Sequence, residues 1–173
     1  MAAHKLAASA RYFYIGPAPP ASGPMQVTPV NLRAYGIWLG EDGRVLLCRE
    51  RFRGGWVVKF PGGGLEPGEG LAGCLQREFL EETGLEIEII RHYYTTDFFV
   101  PDLTDPSRAV VSVYFLVKPV AYAALPAAAD GALEFFWAPL EGLEPGALSL
   151  PIDKEVARRL RADFTLLVPE GIF

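Results

Sequence analysis

Glu69, Arg77, Glu78, Glu81 and Glu82 follow the glycine run Gly62-Gly63-Gly64 within one short stretch of the chain. Leu71, Ala72, Leu75 and Phe79 fall on one face of a helix at about 100° per residue. Gly84 is a natural stop at its C′ position. On the same wheel Glu78 and Glu82 project close to Leu71, with Glu81 beside them, so the carboxylates run along the edge of the stripe to be buried. A solvated acidic face would point elsewhere. Like charges at i, i+3 and i+4 repel by a few tenths of a kcal/mol per pair, and anions near a helix C-terminus oppose the macrodipole. A positive charge must offset this. A hard divalent cation with oxygen ligands fits, since Mg²⁺ takes a few carboxylates together with phosphate oxygens and water.

The segment ahead of the helix supplies the complementary half. Pro61-Gly62-Gly63-Gly64 follows the strand-like run Trp56-Val57-Val58-Lys59-Phe60. Glycines permit positive φ and close backbone approach. A strand, glycine loop and helix in this order bring backbone N–H groups and a helix N-terminus toward phosphate oxygens, and leave the carbonyl of Gly62 or Gly63 for a metal.

From Gly63, five residues lead to Glu69 and seven more to Arg77-Glu78-Phe79-Leu80-Glu81-Glu82-Thr83-Gly84-Leu85. This spacing resembles the Nudix box, and every position of the family pattern is filled. The resemblance implies a hydrolase acting on nucleoside diphosphates linked to another group X, such as a nucleoside triphosphate or a nucleotide sugar. It further implies Mg²⁺, with Mn²⁺ as a substitute, held by Glu78, Glu81 and Glu82 with the Gly62 carbonyl. The resemblance leaves the general base open, between one of these three carboxylates and a glutamate from a later loop. Arg77 orients the neighbouring glutamates, while Gly63 and Glu69 support the geometry of loop and helix. The fold implied is the Nudix α/β/α sandwich, built on a central mixed β-sheet.

The whole chain agrees with a compact enzyme. Its 173 residues suit one domain, and 50% hydrophobic content can build a substantial core. A net charge of −5 argues against a nucleic-acid surface. Cys48 and Cys74, with no His cluster, make neither a disulfide framework nor a zinc site, so a reducing cytoplasm is expected. Neither a membrane span nor a signal peptide is indicated. The partner expected is a small nucleotide.

Residues 1–30 form a Pro/Gly-rich arm, either packed on the surface or crossing to a second subunit to build a homodimer, and residues 31–173 the catalytic domain. Leu32 to Leu39 and Arg44 to Arg49 flank Gly40-Glu41-Asp42-Gly43 and read as a hairpin. Glu86 to Ile90 and His92 to Val100 read as strand-rich, Pro101 to Arg108 as a loop, and Ala109 to Val117 as a central strand. Leu133 to Trp137 is a further strand, and Asp153 caps a last helix running to about Ala162. Strands and helices do not alternate regularly, which argues against a doubly wound sheet.

Outside the box the residues have competing readings. Arg49, Arg51, Arg53 and Lys59 precede the glycine loop, and Arg51 and Lys59 are the candidates for meeting phosphate, against a solvated basic turn. Tyr94 and Phe98 are candidates for stacking on a base or sugar, against core packing. Glu134 and Asp130 are candidates for a further carboxylate, against exposed loop acids. Asp153 is a candidate base reader, against a plain N-cap. A different class of function, a nucleotide sensor that binds through the same fold without hydrolysis, is disfavoured by the complete box.

Overall fold

A computed structural model describes residues 29–121 and 132–167, with side chains through residue 163. Four strands make one mixed sheet: β1 (Val30–Trp38), β4 (Gly62–Gly64), β5 (Ile87–Thr95) and β6 (Ala109–Pro119), in the order β4-β1-β6-β5. The β1 and β6 strands run parallel, whereas β4 and β5 are antiparallel to their neighbours. A second, antiparallel sheet has the order β3-β2-β7, from β2 (Arg44–Phe52), β3 (Gly55–Lys59) and β7 (Leu133–Pro139). Two helices complete the fold, α1 (Leu71–Thr83) and α2 (Pro151–Leu167).

Strand periodicity distributes the core to two sides. From β1, Tyr35, Ile37 and Leu39 join Tyr114 and Leu116 of β6, and Ile152, Val156, Ala157 and Leu160 of α2 cover them. The alternate residues Ala34 and Trp38, with Val117, pack against Cys74, Leu75 and Phe79 of α1. Successive side chains of a strand point to opposite faces, so the central strands are buried on both and a helix lies on each. This is the α/β/α arrangement expected. Gly36 lets β1 and α1 come close, since a Cβ there would lie 2.5 Å from Phe79 Cε2.

The local readings hold in part. The box helix runs from Leu71 to Thr83, and Gly84, at φ 71°, donates its N–H to Leu80 O. Its buried stripe is Cys74, Leu75, Phe79 and Thr83, while Ala72 is exposed, so the stripe is rotated from the one expected. The expected hairpin is corrected: β1 and β2 belong to different sheets, joined by one antiparallel bridge, Leu39 to Val45. The Gly40–Gly43 turn therefore passes the chain from one sheet to the other. The β5 strand crosses the expected break at Arg91, with irregular register at Ile89/Arg91 and His92/Tyr94, and ends at Thr95, short of Val100. The last helix starts at Pro151, ahead of Asp153. Residues 1–28 of the arm, and Asp130, lie outside the described residues.

Candidate active site

The glycine loop is fixed by close packing. Gly62 has φ 129°, and a Cβ on it would lie 2.3 Å from Ala34 O. Only glycine meets both demands. At Gly63 a Cβ would lie 2.2 Å from Glu78 Oε1, so the bare backbone makes room for that carboxylate. The register Tyr35↔Gly62, Ala34↔Gly63 and Arg33↔Gly64 ties the loop to β1.

Arg77 organises the acids around this loop. Its Nε and Nη2 donate to the two oxygens of Glu69 at 2.8 and 3.0 Å, a bidentate pair. Nη1 reaches Glu78 Oε1 at 3.1 Å and Glu81 Oε2 at 3.2 Å, and Nη2 also donates to Gly64 O at 3.1 Å. The Arg77 hydrogen bonds, joined by one from the Glu66 backbone, hold the Glu69 carboxyl down to about 2. One guanidinium thus links the loop to the helix and sets three carboxylates.

The box glutamates are not equivalent. Glu78 and Glu82 side chains are 17% and 14% exposed, whereas Glu81 is 60% exposed and turned outward. Glu82 Oε2 is buried and has no hydrogen-bond partner among the described residues. Burial pushes the Glu82 carboxyl up to about 7; Lys59 pulls it down, and Glu78 and Glu50 push it further up. Lys59 is buried, donates to Gly62 O at 2.9 Å, and lies 3.1 Å from Glu50 Oε2 and 3.8 Å from Glu82 Oε1. Burial works against its charge, but its acidic surroundings outweigh that and raise its pKa.

Among the described residues, no three His, Cys, Asp or Glu side chains already converge as a metal cluster. The donor set still fits a hard cation. Glu82 offers an orphaned buried oxygen, Glu78 lies against Gly63, and the Gly62 carbonyl shares Lys59 with Glu82. Mg²⁺ is commonly held by one or two carboxylates, with water and substrate phosphate completing the shell. Glu78 and Glu82 meet that need, with Glu81 at the rim.

A cleft of about 240 Å³ shares Lys59 with this cluster and is lined among others by Arg33, Tyr35, Glu50, Phe52, Val57 and Ile152. Of the substrate candidates outside the box, the structure brings Lys59 to this cleft and not the others. Arg51 is exposed and stacks on Trp56, 4.6 Å from the ring centroid. Tyr94 is buried in the core and donates to Asp97 at 2.5 Å, while Phe98 is 42% exposed and does not line the cleft. Asp153 is fully buried and accepts hydrogen bonds from Phe60 N at 3.2 Å and from the Tyr114 hydroxyl, so it joins α2 to β6 and to the residue after β3 rather than capping its own helix. Burial pushes its carboxyl up to about 6, with those two hydrogen bonds pulling the other way. Glu134 pairs with Arg49 Nη2 at 2.6 Å, a β7 to β2 contact at the surface.

The sequence reading passed over Arg33, Tyr35, Glu50 and Phe52. Period two held a signal for the first, because Arg33 shares its strand face with Tyr35, Ile37 and Leu39, which are buried.

Comparisons with known proteins agree with this architecture. The E. coli ORF135 protein superposes with a TM-score of 0.62 at 22% identity, over 81% of this chain and 96% of that one. A MutT protein from Methanosarcina mazei Go1 gives 0.62 at 23%, over 79% and 96%. A NUDIX hydrolase from Nitrosomonas europaea gives 0.62 at 20%, over 78% and 89%. These likenesses speak to the fold. The model of the NUDIX domain family matches residues 30–160, most of the chain and all of the site just described. With the box complete and both helices and both sheets in place, the chain belongs to the Nudix family and is a hydrolase of pyrophosphate bonds.

Proposed function

We propose that the chain is an Mg²⁺-dependent hydrolase of nucleoside diphosphates linked to X, releasing a nucleoside monophosphate and phosphorylated X by attack of water on phosphorus. The observation that carries this reading is the orphaned, buried Oε2 of Glu82 beside Glu78 and the glycine loop. Glu78 and Glu82, with the Gly62 carbonyl, would hold the cation, which when bound neutralises pyrophosphate charge and lowers the pKa of water. Arg77 keeps Glu78 in register through its bonds to Glu69 and Gly64, and Lys59 keeps Glu82 turned to the loop. The adjoining cleft would take the organic part of a small nucleotide substrate, a nucleoside triphosphate or nucleotide sugar among them. A reducing, cytoplasmic setting goes with the two free, buried cysteines Cys48 and Cys74.

The test is a parallel incubation of these substrate classes with Mg²⁺ or Mn²⁺, scoring phosphate-containing products, alongside Glu82→Gln. Metal-dependent product from the wild type, lost in a folded Glu82→Gln protein, supports the reading. Ligand binding without product over long incubation would instead favour a sensor.

A further inference from the structure

Arg33 stands apart from the other basic groups near the site. It lies on β1, half-buried, and lines the cleft together with Tyr35, Glu50 and Lys59. Its Nε donates to the Tyr35 hydroxyl at 2.7 Å, and its guanidinium carbon is 5.6 Å from the centre of the Tyr35 ring. Tyr35 is itself held, stacked on Tyr114 at 5.2 Å between centroids. The guanidinium is therefore oriented from one side only. Arg44, Arg49, Arg77 and Arg108 spend their forks on carboxylates, but Arg33 forms no ion pair with a described carboxylate. Glu78 and Glu50 act on it only through their longer-range fields. Its Nη1 lies near the backbone of Gly64, opposite in the strand register.

A half-buried guanidinium with one edge fixed and the other open to a cleft is prepared for a planar, multidentate anion. The cations nearby differ from it in this respect: Lys59 is committed to Gly62 O, Glu50 and Glu82, and Arg77 to the box acids. The cleft that Arg33 lines also carries the apolar side chains Phe52, Val57 and Ile152, on which a flat ring can lie, with Asn31, Asp102, Thr104 and Ser112 as polar groups around them. We propose that Arg33 is a substrate-binding residue that clamps the phosphate directly attached to a nucleoside seated on these apolar walls. The assignment rests on the nucleotide reading above and adds to it which half of the substrate enters the cleft.

Binding separates this assignment from hydrolysis. Adenosine and guanosine 5′-monophosphates are titrated against wild type and Arg33→Gln by calorimetry, with adenosine and guanosine as phosphate-free controls and thermal melting to confirm folding. The wild type should bind the monophosphates at least about tenfold tighter than the nucleosides, and the variant should lose that preference while keeping nucleoside affinity. Arg33→Lys should restore only part of it, because an ammonium has no fork. With any hydrolysed substrate, Arg33→Gln should raise KM far more than it lowers kcat. Equal wild-type affinity for nucleotide and nucleoside, a preference retained in Arg33→Gln, or no nucleotide binding at all would overturn the assignment. Nucleotide binding with no hydrolysis of any substrate would count against the hydrolase proposal alone and leave Arg33 in its role.

Discussion

Lys59 Nζ lies 3.8 Å from Glu82 Oε1, while the other oxygen of the same carboxylate, Oε2, is buried with no hydrogen-bond partner among the described residues. One side of Glu82 is thus answered by the protein and the other is left for something to bind. The pair also explains how the acid stays buried at the end of a helix whose dipole opposes it, because the ammonium comes from β3 and not from α1.

Protein stability should report this arrangement through pH. Burial raises the Glu82 carboxyl from 4.5 to about 7, so the folded state binds its proton more tightly than the unfolded chain. That contribution is complete below 4.5 and is lost as pH rises through about 7, on the order of 3 kcal/mol in all. Melting temperatures of metal-free protein should therefore fall between pH 5 and 8. Mg²⁺, which favours the carboxylate, should raise the melting temperature more at pH 8 than at pH 5.5. Asp153, raised to about 6, adds a fall of the same sign at lower pH that Mg²⁺ does not restore. A metal effect independent of pH would contradict this.

Arg77→Lys should lower activity roughly 10- to 100-fold, the usual cost of losing the partners that orient metal ligands. A lysine cannot span both Glu69 oxygens and still reach Glu78. Steady-state kinetics at several Mg²⁺ concentrations would check it, with the loss lessening as the metal is raised.

Gly63→Ala would place a Cβ 2.2 Å from Glu78 Oε1. The carboxylate must move, and it is the flexible end of a side chain, so the fold should survive while metal affinity drops by about tenfold or more. Calorimetric Mg²⁺ titration together with a thermal melt would separate the two effects.

Gly36→Ala should do the reverse. Its Cβ would meet the Phe79 ring at 2.5 Å, deep between β1 and α1, and overpacking there costs about 1–3 kcal/mol. Denaturant unfolding of Gly36→Ala, and of Gly36→Ala combined with Phe79→Leu, should show the loss and its partial recovery.

The parts of the site legible in the sequence are those made by short-range geometry. Glu78 and Glu82 lie beside a buried stripe because helical periodicity puts them there, and Gly62 and Gly63 precede the helix because the loop admits no side chain. A wheel angle says less of Glu81, which stays 60% exposed while Arg77 Nη1 holds it at 3.2 Å. The turn at Gly40–Gly43 carried every local sign of a hairpin, yet which sheet each flank joins is decided by pairing with β6 and β7, far along the chain. The cleft is likewise assembled from β1, β2, β3, the loop after Pro101 and the start of α2, so Phe52 had no local pattern to mark it, and the period-two signal at Arg33 said only which strand face it shares. Asp102 shows the same dependence, since it fixes that loop by accepting from Asn31 Nδ2 at 2.5 Å and Thr104 N at 2.7 Å.

The central claim is that Glu78 and Glu82 form the cation site and that Glu81 is peripheral to it. Titration of Mn²⁺ followed by electron paramagnetic resonance tests this without reference to any substrate. Wild-type protein should bind the ion, Glu82→Gln and Glu78→Gln should each weaken binding by about tenfold or more, and Glu81→Gln should change it by less than about threefold. Unchanged affinity in Glu82→Gln, or a loss in Glu81→Gln as large as in the other two, would contradict the account.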